Sequence, residues 1–316
     1  MSRPLSENFP AYSAIVGAGI WLFFEAFGEL RMIDLLQIEA AFLLAPLVVV
    51  PLGLRLVILD DTSRAPKSLV AAAVYFQPLA ALAAAISYLF PQGLVAGALG
   101  GVWFSYTAVL AVLALVRFSR DRSLDSDKMA LNAGLLFCAI GGIWFVLHRL
   151  GAAPFQFGQL IVLLTAVHFH FAGYASLIFI GATGRWLKCN HAALMPLHSV
   201  IAFAVILSIP LLAVGITVSP RLEAFSAVVL AVALSVTAVL VLTVVVRKLK
   251  SRLTKTLLMI SSLSLIIGMT FAVLYALSEV SGTYVITITR MAHYHGWTNA
   301  LLFSVCGLWA WNIEGE

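Results

Sequence analysis

Apolar runs long enough to form membrane-spanning helices recur along the whole chain, and they limit its possible folds more than any other feature. A helix of about 20 apolar residues crosses the hydrocarbon of a bilayer. Only helices and closed barrels satisfy every backbone hydrogen bond there. Because the runs are continuous and do not alternate with polar residues, they predict helices and not strands.

The composition agrees with this interpretation. Of the 316 residues, 62% are hydrophobic and only 10% are charged, whereas soluble domains carry about 25% charged residues. We therefore expect an all-α, polytopic integral membrane helix bundle of about ten helices, forming a single transmembrane domain over residues 1–316. The predicted spans are 11–29, 36–57, 68–90, 93–117, 129–149, 156–182, 194–217, 222–246, 255–279 and 289–312.

The loop charges predict an orientation. All but four of the 19 Lys and Arg residues lie in the N-terminal tail or in every second loop after it, and the exceptions are Arg31, Arg149, Arg221 and Arg290. By the positive-inside rule both termini are expected in the cytoplasm of a bacterium, with the chain crossing its inner membrane many times. The basic segments 117–128 and 247–255 serve either to orient the chain or to bind lipid headgroups.

Several other classes of protein do not fit. The net charge of +5 lies in short loops between spans, so we expect no nucleic-acid binding. Cys138, Cys189 and Cys306 are far apart and indicate neither a disulfide framework nor a zinc ribbon. The first apolar run contains Glu25 and lacks a cleavage site of the A-x-A type, so it is interpreted as a retained helix.

Two predicted spans contain a His-x-His pattern. LTAVHFHFAGYAS (164–176) carries His168 and His170, and RMAHYHGWTNALLF (290–303) carries His293 and His295. Ionisable side chains inside a bilayer are costly and usually functional. The topology places the first pair near the midplane and the second in the outer half, together with Glu25, Glu39, His148 and Arg290. This distribution predicts a polar cavity that opens outward.

Each candidate residue has an expected role. His168, His170, His293, His295, Glu25 and Glu39 are predicted to be catalytic, because histidine beside a buried carboxylate acts as an acid or base. The predicted substrate-binding residues are Arg290, Asn299, Tyr174, Trp103 and Trp297, with Arg290 as the contact for an anionic group. His170 is expected to share a helix face with Tyr174, and His295 with Asn299. The alternative is that these groups only make hydrogen bonds between helices, which is the expectation for His148 and His198 at the ends of spans.

Three functions remain open. The first is an intramembrane enzyme that performs acid–base chemistry on a lipophilic or small substrate. The second is a proton-coupled transporter that uses the same residues as a relay, although the two halves of the chain share no motif of an inverted repeat. The third is a haem- or metal-binding redox protein with histidine ligands. The lipid bilayer and a small or lipophilic substrate are the expected partners, and the sequence names no cofactor or oligomeric state.

The segments HFHFAGY (168–174) and HYHGWTNALLFSVCGLWAW (293–311) resemble the YndJ-like family of bacterial integral membrane proteins. The resemblance covers these two motifs and the general hydropathy of the chain. It implies a polytopic bacterial membrane protein, without an activity that can be transferred. It also draws attention to His168, His170, His295, Gly296 and Asn299.

Overall fold

The computed structural model describes residues 5–29, 37–60, 65–283 and 285–315, and these ranges form helices and no strands. Nine of the described helices are long and apolar enough to cross a membrane. The predicted all-α, polytopic fold is therefore confirmed. Arg3, Arg31 and Arg64, which entered the charge argument, lie outside the described residues.

The chain separates into two compact units. The first comprises Met1–Ser123 with Asn132–Ala175, and the second comprises Leu124–Leu131 with Ser176–Glu316. Each is described below by itself. The single domain over residues 1–316 stays a prediction.

The first unit is built from helices, and two of its segments are π-helical. Its elements are α1 (Leu5–Glu29), α2 (Gln37–Leu44), a π-helical segment (Ala45–Val49), α3 (Val50–Ile58), α4 (Lys67–Tyr75), α5 (Gln77–Ser87), α6 (Leu94–Asp121), most of α7 (Ser126–Leu150), α8 (Gln159–His168) and a second π-helical segment (Phe169–Ala175). The apolar window of the stretch Gln37–Ile58 is buried along its whole length. This stretch therefore forms the core of the unit.

Local sequence explains two features of the first unit. Pro78 lacks a backbone N–H, and the helix is interrupted at Phe76, between α4 and α5, as the sequence predicts. The indole Nε1–H of Trp21 donates to the carbonyl of Ala40 at 2.8 Å, which fastens α1 to α2.

The second unit contains the remaining helices. Its elements are the start of α7, α9 (Ser176–Asn190), α10 (Met195–Val218), α11 (Pro220–Leu240), a π-helical segment (Val241–Val245), α12 (Val246–Lys248), α13 (Arg252–Ser281), α14 (Ile288–Trp297), a π-helical segment (Thr298–Val305) and α15 (Cys306–Glu314). The chain is helical from Ile288 to Glu314, which covers the predicted tenth span. This stretch is not among the nine helices of sufficient length and apolarity.

Hydroxyl side chains begin three helices of the second unit. Ser219, Ser251 and Thr287 precede α11, α13 and α14, and each accepts a hydrogen bond from a backbone N–H in the first turn. These are preferred N-cap residues because their oxygens satisfy N–H groups that have no partner inside the helix. At the other end of α13, Gly282 adopts a left-handed φ of 71°, which ends the helix.

Candidate acid–base site

A buried charged cluster in the first unit joins α2 to the end of α7. We call Glu39, Tyr88, Gln92, His148 and Arg149 the Glu39 cluster. The His148 Nε2 atom lies 3.2 Å from Glu39 Oε1, and Arg149 Nη1 lies 3.7 Å from the same oxygen. Glu39, His148 and Arg149 are all less than 10% exposed. A buried charge of this kind needs a partner of opposite sign; the Arg149 guanidinium supplies it, and His148 adds a hydrogen-bond contact.

The ends of the two helices favour these charges. Glu39 lies in the first turn of α2, and His148 and Arg149 lie in the last turn of α7. A helix dipole stabilises negative charge at the N-terminus and positive charge at the C-terminus. The cluster therefore brings the Glu39 carboxylate and the Arg149 guanidinium together, each at a helix end that favours its charge.

Arg149 is held in place by further contacts. Its Nη2 atom donates to the backbone carbonyls of Ser87 at 2.9 Å and Phe90 at 2.8 Å. Its guanidinium carbon lies 4.4 Å from the centroid of the Tyr88 ring, a cation–π arrangement. Arg149 therefore serves as a fixed counter-charge for Glu39.

Hydrogen bonds connect the cluster to the protein surface. The side-chain amide of Gln92, which is exposed, lies 3.4 Å from His148 Nδ1. The same amide donates to Gln159 Oε1 at 3.3 Å. Hydrogen-bonding groups therefore form a continuous path from exposed Gln92 through His148 to buried Glu39.

Aromatic side chains pack one helical turn away from the charged cluster. Phe42 and Phe145 stack with their ring centroids 4.5 Å apart, and Tyr88 lies 6.0 Å from Phe145. Phe42 also meets the His170 ring edge to face at 5.1 Å. The Phe42 and Phe145 rings carry no group that transfers protons, so these two side chains separate the Glu39 cluster from His170.

His170 makes a second hydrogen-bonded site in the first unit and is fully buried. The indole Nε1–H of Trp103 donates to its Nε2 at 3.0 Å, and its Nδ1 lies 2.8 Å from the carbonyl oxygen of Ala166. Gly141 leaves room for the ring, because a Cβ there would overlap the imidazole. Tyr174, also fully buried, donates from its hydroxyl to the carbonyl of Val50 at 2.8 Å.

The partners of the two histidines determine what each can do. An indole N–H only donates and a carbonyl only accepts, so His170 is held neutral with its proton on Nδ1. His148 faces a carboxylate at Nε2 and an amide at Nδ1. A glutamine amide can turn to present either its N–H or its oxygen. His148 can therefore gain or lose a proton at Nδ1 and keep a partner in both states.

In the second unit, His295 and Asn299 lie together as their spacing predicts. His295 Nδ1 lies 2.8 Å from the carbonyl oxygen of Gly268, and Asn299 donates to the carbonyl of His295 at 2.7 Å. A Cβ at Gly268 would overlap the Asn299 side chain. These contacts fasten α14 and the following π-helical segment to α13.

Two other polar groups of the second unit lie at the ends of helices. Glu223, in the first turn of α11, lies next to Glu279, near the end of α13, and the Tyr275 hydroxyl donates to Glu279 at 2.8 Å. Ser126 Oγ lies 2.8 Å from His198 Nδ1, and both residues are buried. Two ionised carboxylates side by side repel each other, so the glutamate pair favours a proton bound between them.

The other predicted site residues are more exposed. Glu25 and His168 in the first unit are half-buried, as is Trp297 in the second, whereas Arg290 and His293 are exposed. The two histidine motifs fall in different units, so a site shared by His170 and His295 stays a prediction. Within the ranges that the structure describes, no three His, Cys, Asp or Glu side chains lie close enough to hold a metal ion.

The sequence interpretation did not select His148, Arg149, Tyr88 or Gln92 as site residues. One signal pointed to part of this cluster: the predicted topology places both Glu39 and His148 in the outer half of the membrane. A groove of about 200 Å³ lies elsewhere on the first unit and is lined mainly by apolar side chains of α1 and α5. None of the predicted site residues lines that groove.

Comparison with known proteins gives one family and one relative. The model of the family described as "YndJ-like protein" matches residues 40–303. A protein of Bacillus subtilis (strain 168), described as "Uncharacterized membrane protein YndJ", is 30% identical over 284 residues, which cover 89% of this chain and 50% of that protein. The chain thus spans about half the length of this relative. No solved structure matches.

Proposed function

This chain belongs to the YndJ-like family of membrane proteins, and we propose that it is an intramembrane enzyme that uses Glu39 and His148 as an acid–base pair. The substrate is small or lipophilic. The observation that supports this proposal best is the hydrogen-bonded path from exposed Gln92 through His148 to Glu39. A general acid or base must exchange its proton with solvent after each reaction, and this path provides the exchange.

The chemistry follows from the contacts of the cluster. Glu39 holds the Nε2 proton of His148, which leaves Nδ1 as the atom that accepts or returns a proton. Arg149 compensates the negative charge of Glu39 and stays fixed by its two carbonyl bonds. In this scheme His148 transfers the proton, Glu39 orients the His148 ring, and Arg149 is the counter-charge of Glu39. His170 positions Trp103 and the adjoining helices.

The experiment compares cell membranes that contain the parent protein with membranes that contain Glu39→Gln or His148→Gln. Lipids and small molecules are extracted and quantified by mass spectrometry. His191→Gln, which removes an imidazole from the end of a span, is the matched control. The proposal is supported by a compound whose level is altered in membranes with the parent or the control protein. The same compound must be unaltered in membranes with either site variant. Equal extracts from all four membranes contradict it, provided that all proteins accumulate equally.

Proton-coupled transport is a second candidate, and the Glu223–Glu279 carboxyl pair favours it. Two neighbouring carboxyl groups on membrane-spanning helices can bind and release a proton, as a proton-coupled carrier requires. The test uses vesicles that contain a pH-sensitive dye. Acidification that depends on an added solute, and that is lost in Glu223→Gln, supports transport. A flux equal to that of empty vesicles contradicts it.

We also propose that the chain lies in the bacterial inner membrane with both termini in the cytoplasm, because its basic loops lie on one side. Cys189 is exposed at the end of α9, in one of these loops. A thiol reagent that does not cross membranes is expected to label it only after cell lysis. Gly158→Cys, at an exposed position in open space on the opposite side, is expected to react in intact cells. Labelling of the two positions in the reverse order would overturn the orientation.

A further inference from the structure

The turn between α12 and α13 concentrates positive charge. Arg247 and Lys248 end one helix, Lys250 lies in the turn, and Arg252 and Lys255 begin the next helix. We call these five residues the basic turn. The segment 247–255 contains no acidic residue, and four of the five side chains are exposed, with Lys255 half-buried.

The basic turn lacks the counter-charges that other basic residues have. No hydrogen bond or ion pair joins any of its five side chains to another residue that the structure describes. Elsewhere, Arg117 pairs with Asp60 at 2.7 Å in the first unit. In the second unit, Lys188 pairs with Asp125 at 2.7 Å. The charge of the basic turn is therefore available to an external anion.

The helix that follows the basic turn also favours a negatively charged ligand. α13 begins at Arg252, runs to Ser281 and has no acidic residue in its first turn. The N-terminus of a helix carries partial positive charge, and acidic side chains usually compensate it. In α13, two basic side chains, Arg252 and Lys255, lie in the first turn and add to this positive charge. An anion is the partner that both the side chains and the helix end favour.

Apolar side chains in the turn indicate what kind of anion. Leu249 is 4% exposed and anchors the turn, while Leu253 is 57% exposed and stands among the cations. An exposed leucine at the end of a membrane-spanning helix lies where acyl chains meet headgroups. A ligand with a phosphate and an acyl chain fits this combination better than a soluble anion.

We propose that the basic turn binds the headgroup of an anionic phospholipid, with Leu253 in contact with its acyl chain. Clusters of four to eight basic residues next to a membrane span attract anionic lipids, and each residue adds to the affinity. The surface lies wholly within the second unit. It does not depend on the acid–base chemistry of the Glu39 cluster.

The experiment titrates the purified full chain, in mild detergent, with short-chain phosphatidylglycerol or phosphatidylcholine and counts bound lipid by native mass spectrometry. The test variant is Lys248→Gln/Lys250→Gln/Arg252→Gln. The matched control, Lys67→Gln/Arg120→Gln/Arg122→Gln, removes the same charge from exposed positions in other loops of the predicted cytoplasmic side. We expect the parent and the control to prefer phosphatidylglycerol, and the test variant to bind it at least about tenfold more weakly.

Three results would overturn the proposal. An equal loss of affinity in both variants would mean that only net charge matters. An unchanged preference in the test variant would mean that the lipid binds elsewhere. Displacement of phosphatidylglycerol by inorganic phosphate, together with full affinity in Leu253→Ser, would assign the surface to a soluble anion. Melting temperatures of all variants, measured without lipid, show whether a loss of binding comes from unfolding.

Discussion

The indole Nε1–H of Trp103 donates a hydrogen bond of 3.0 Å to Nε2 of His170. The indole only donates, so the imidazole nitrogen must accept. The other ring nitrogen faces the carbonyl oxygen of Ala166. The second histidine of the first His-x-His motif is thus held in one tautomer by its neighbours, and its main effect is on the packing of the first unit.

Trp103→Phe is expected to destabilise the protein by about 1–3 kcal/mol, because it leaves a buried acceptor without a donor. His170→Phe in the same chain removes that acceptor. We therefore expect the double variant to lose less unfolding free energy than the sum of the two single losses. Denaturation in mixed micelles measures all four proteins, and strictly additive effects would contradict the coupling.

Gly141→Ala is expected to destabilise the first unit by about 1–3 kcal/mol, since the added Cβ would overlap the His170 imidazole and press on the side chain of Phe169. Gly101→Ala is the control, because nothing lies within 4 Å of its added Cβ. Alanine also favours helices, so the control is expected to be neutral or slightly stabilising. Melting curves of the two variants test the difference, and equal shifts would argue against the close approach.

Arg149→Lys is expected to lower the stability by about 1.5–3 kcal/mol although the charge is kept. An ammonium group lacks the planar fork that reaches two carbonyls and lies over the Tyr88 ring. Lys248→Arg, at an exposed position without a partner among the described residues, is the reciprocal control and is expected to be neutral. A Lys variant at position 149 that is as stable as the parent would show that the carbonyl bonds contribute little.

The Glu223–Glu279 pair predicts that stability falls with rising pH. Removing the shared proton leaves two negative charges facing each other, and like charges at this distance repel. Glu223→Gln supplies an N–H donor that does not titrate, so its stability is expected to change less between neutral and alkaline pH. Thermal unfolding across that range compares the two proteins. Parallel curves would mean that the pair does not bind the proton in question.

The sequence by itself determined the membrane class, the helical fold and most of the spans. Continuous apolar runs have one stable solution in a bilayer, because each backbone group must find its partner inside its own helix. The position of Pro78 predicts a local interruption for a similar reason, since it lacks the N–H that a helix uses. Spacing also predicted that His295 and Asn299 lie together, because residues four apart share a helix face.

Only the tertiary structure decided which polar groups meet across helices. Glu39 is separated from His148 by 109 residues, and Trp103 from His170 by 67, so helical spacing carries no information about either pair. The sequence placed Glu39 and His148 at one depth, but depth leaves the rotation and the neighbours of each helix open. The packing of Phe42 on Phe145, and the room at Gly141, fix those rotations. Backbone hydrogen bonding is local and can be predicted from the sequence, whereas the choice of a buried partner depends on how whole helices fit together.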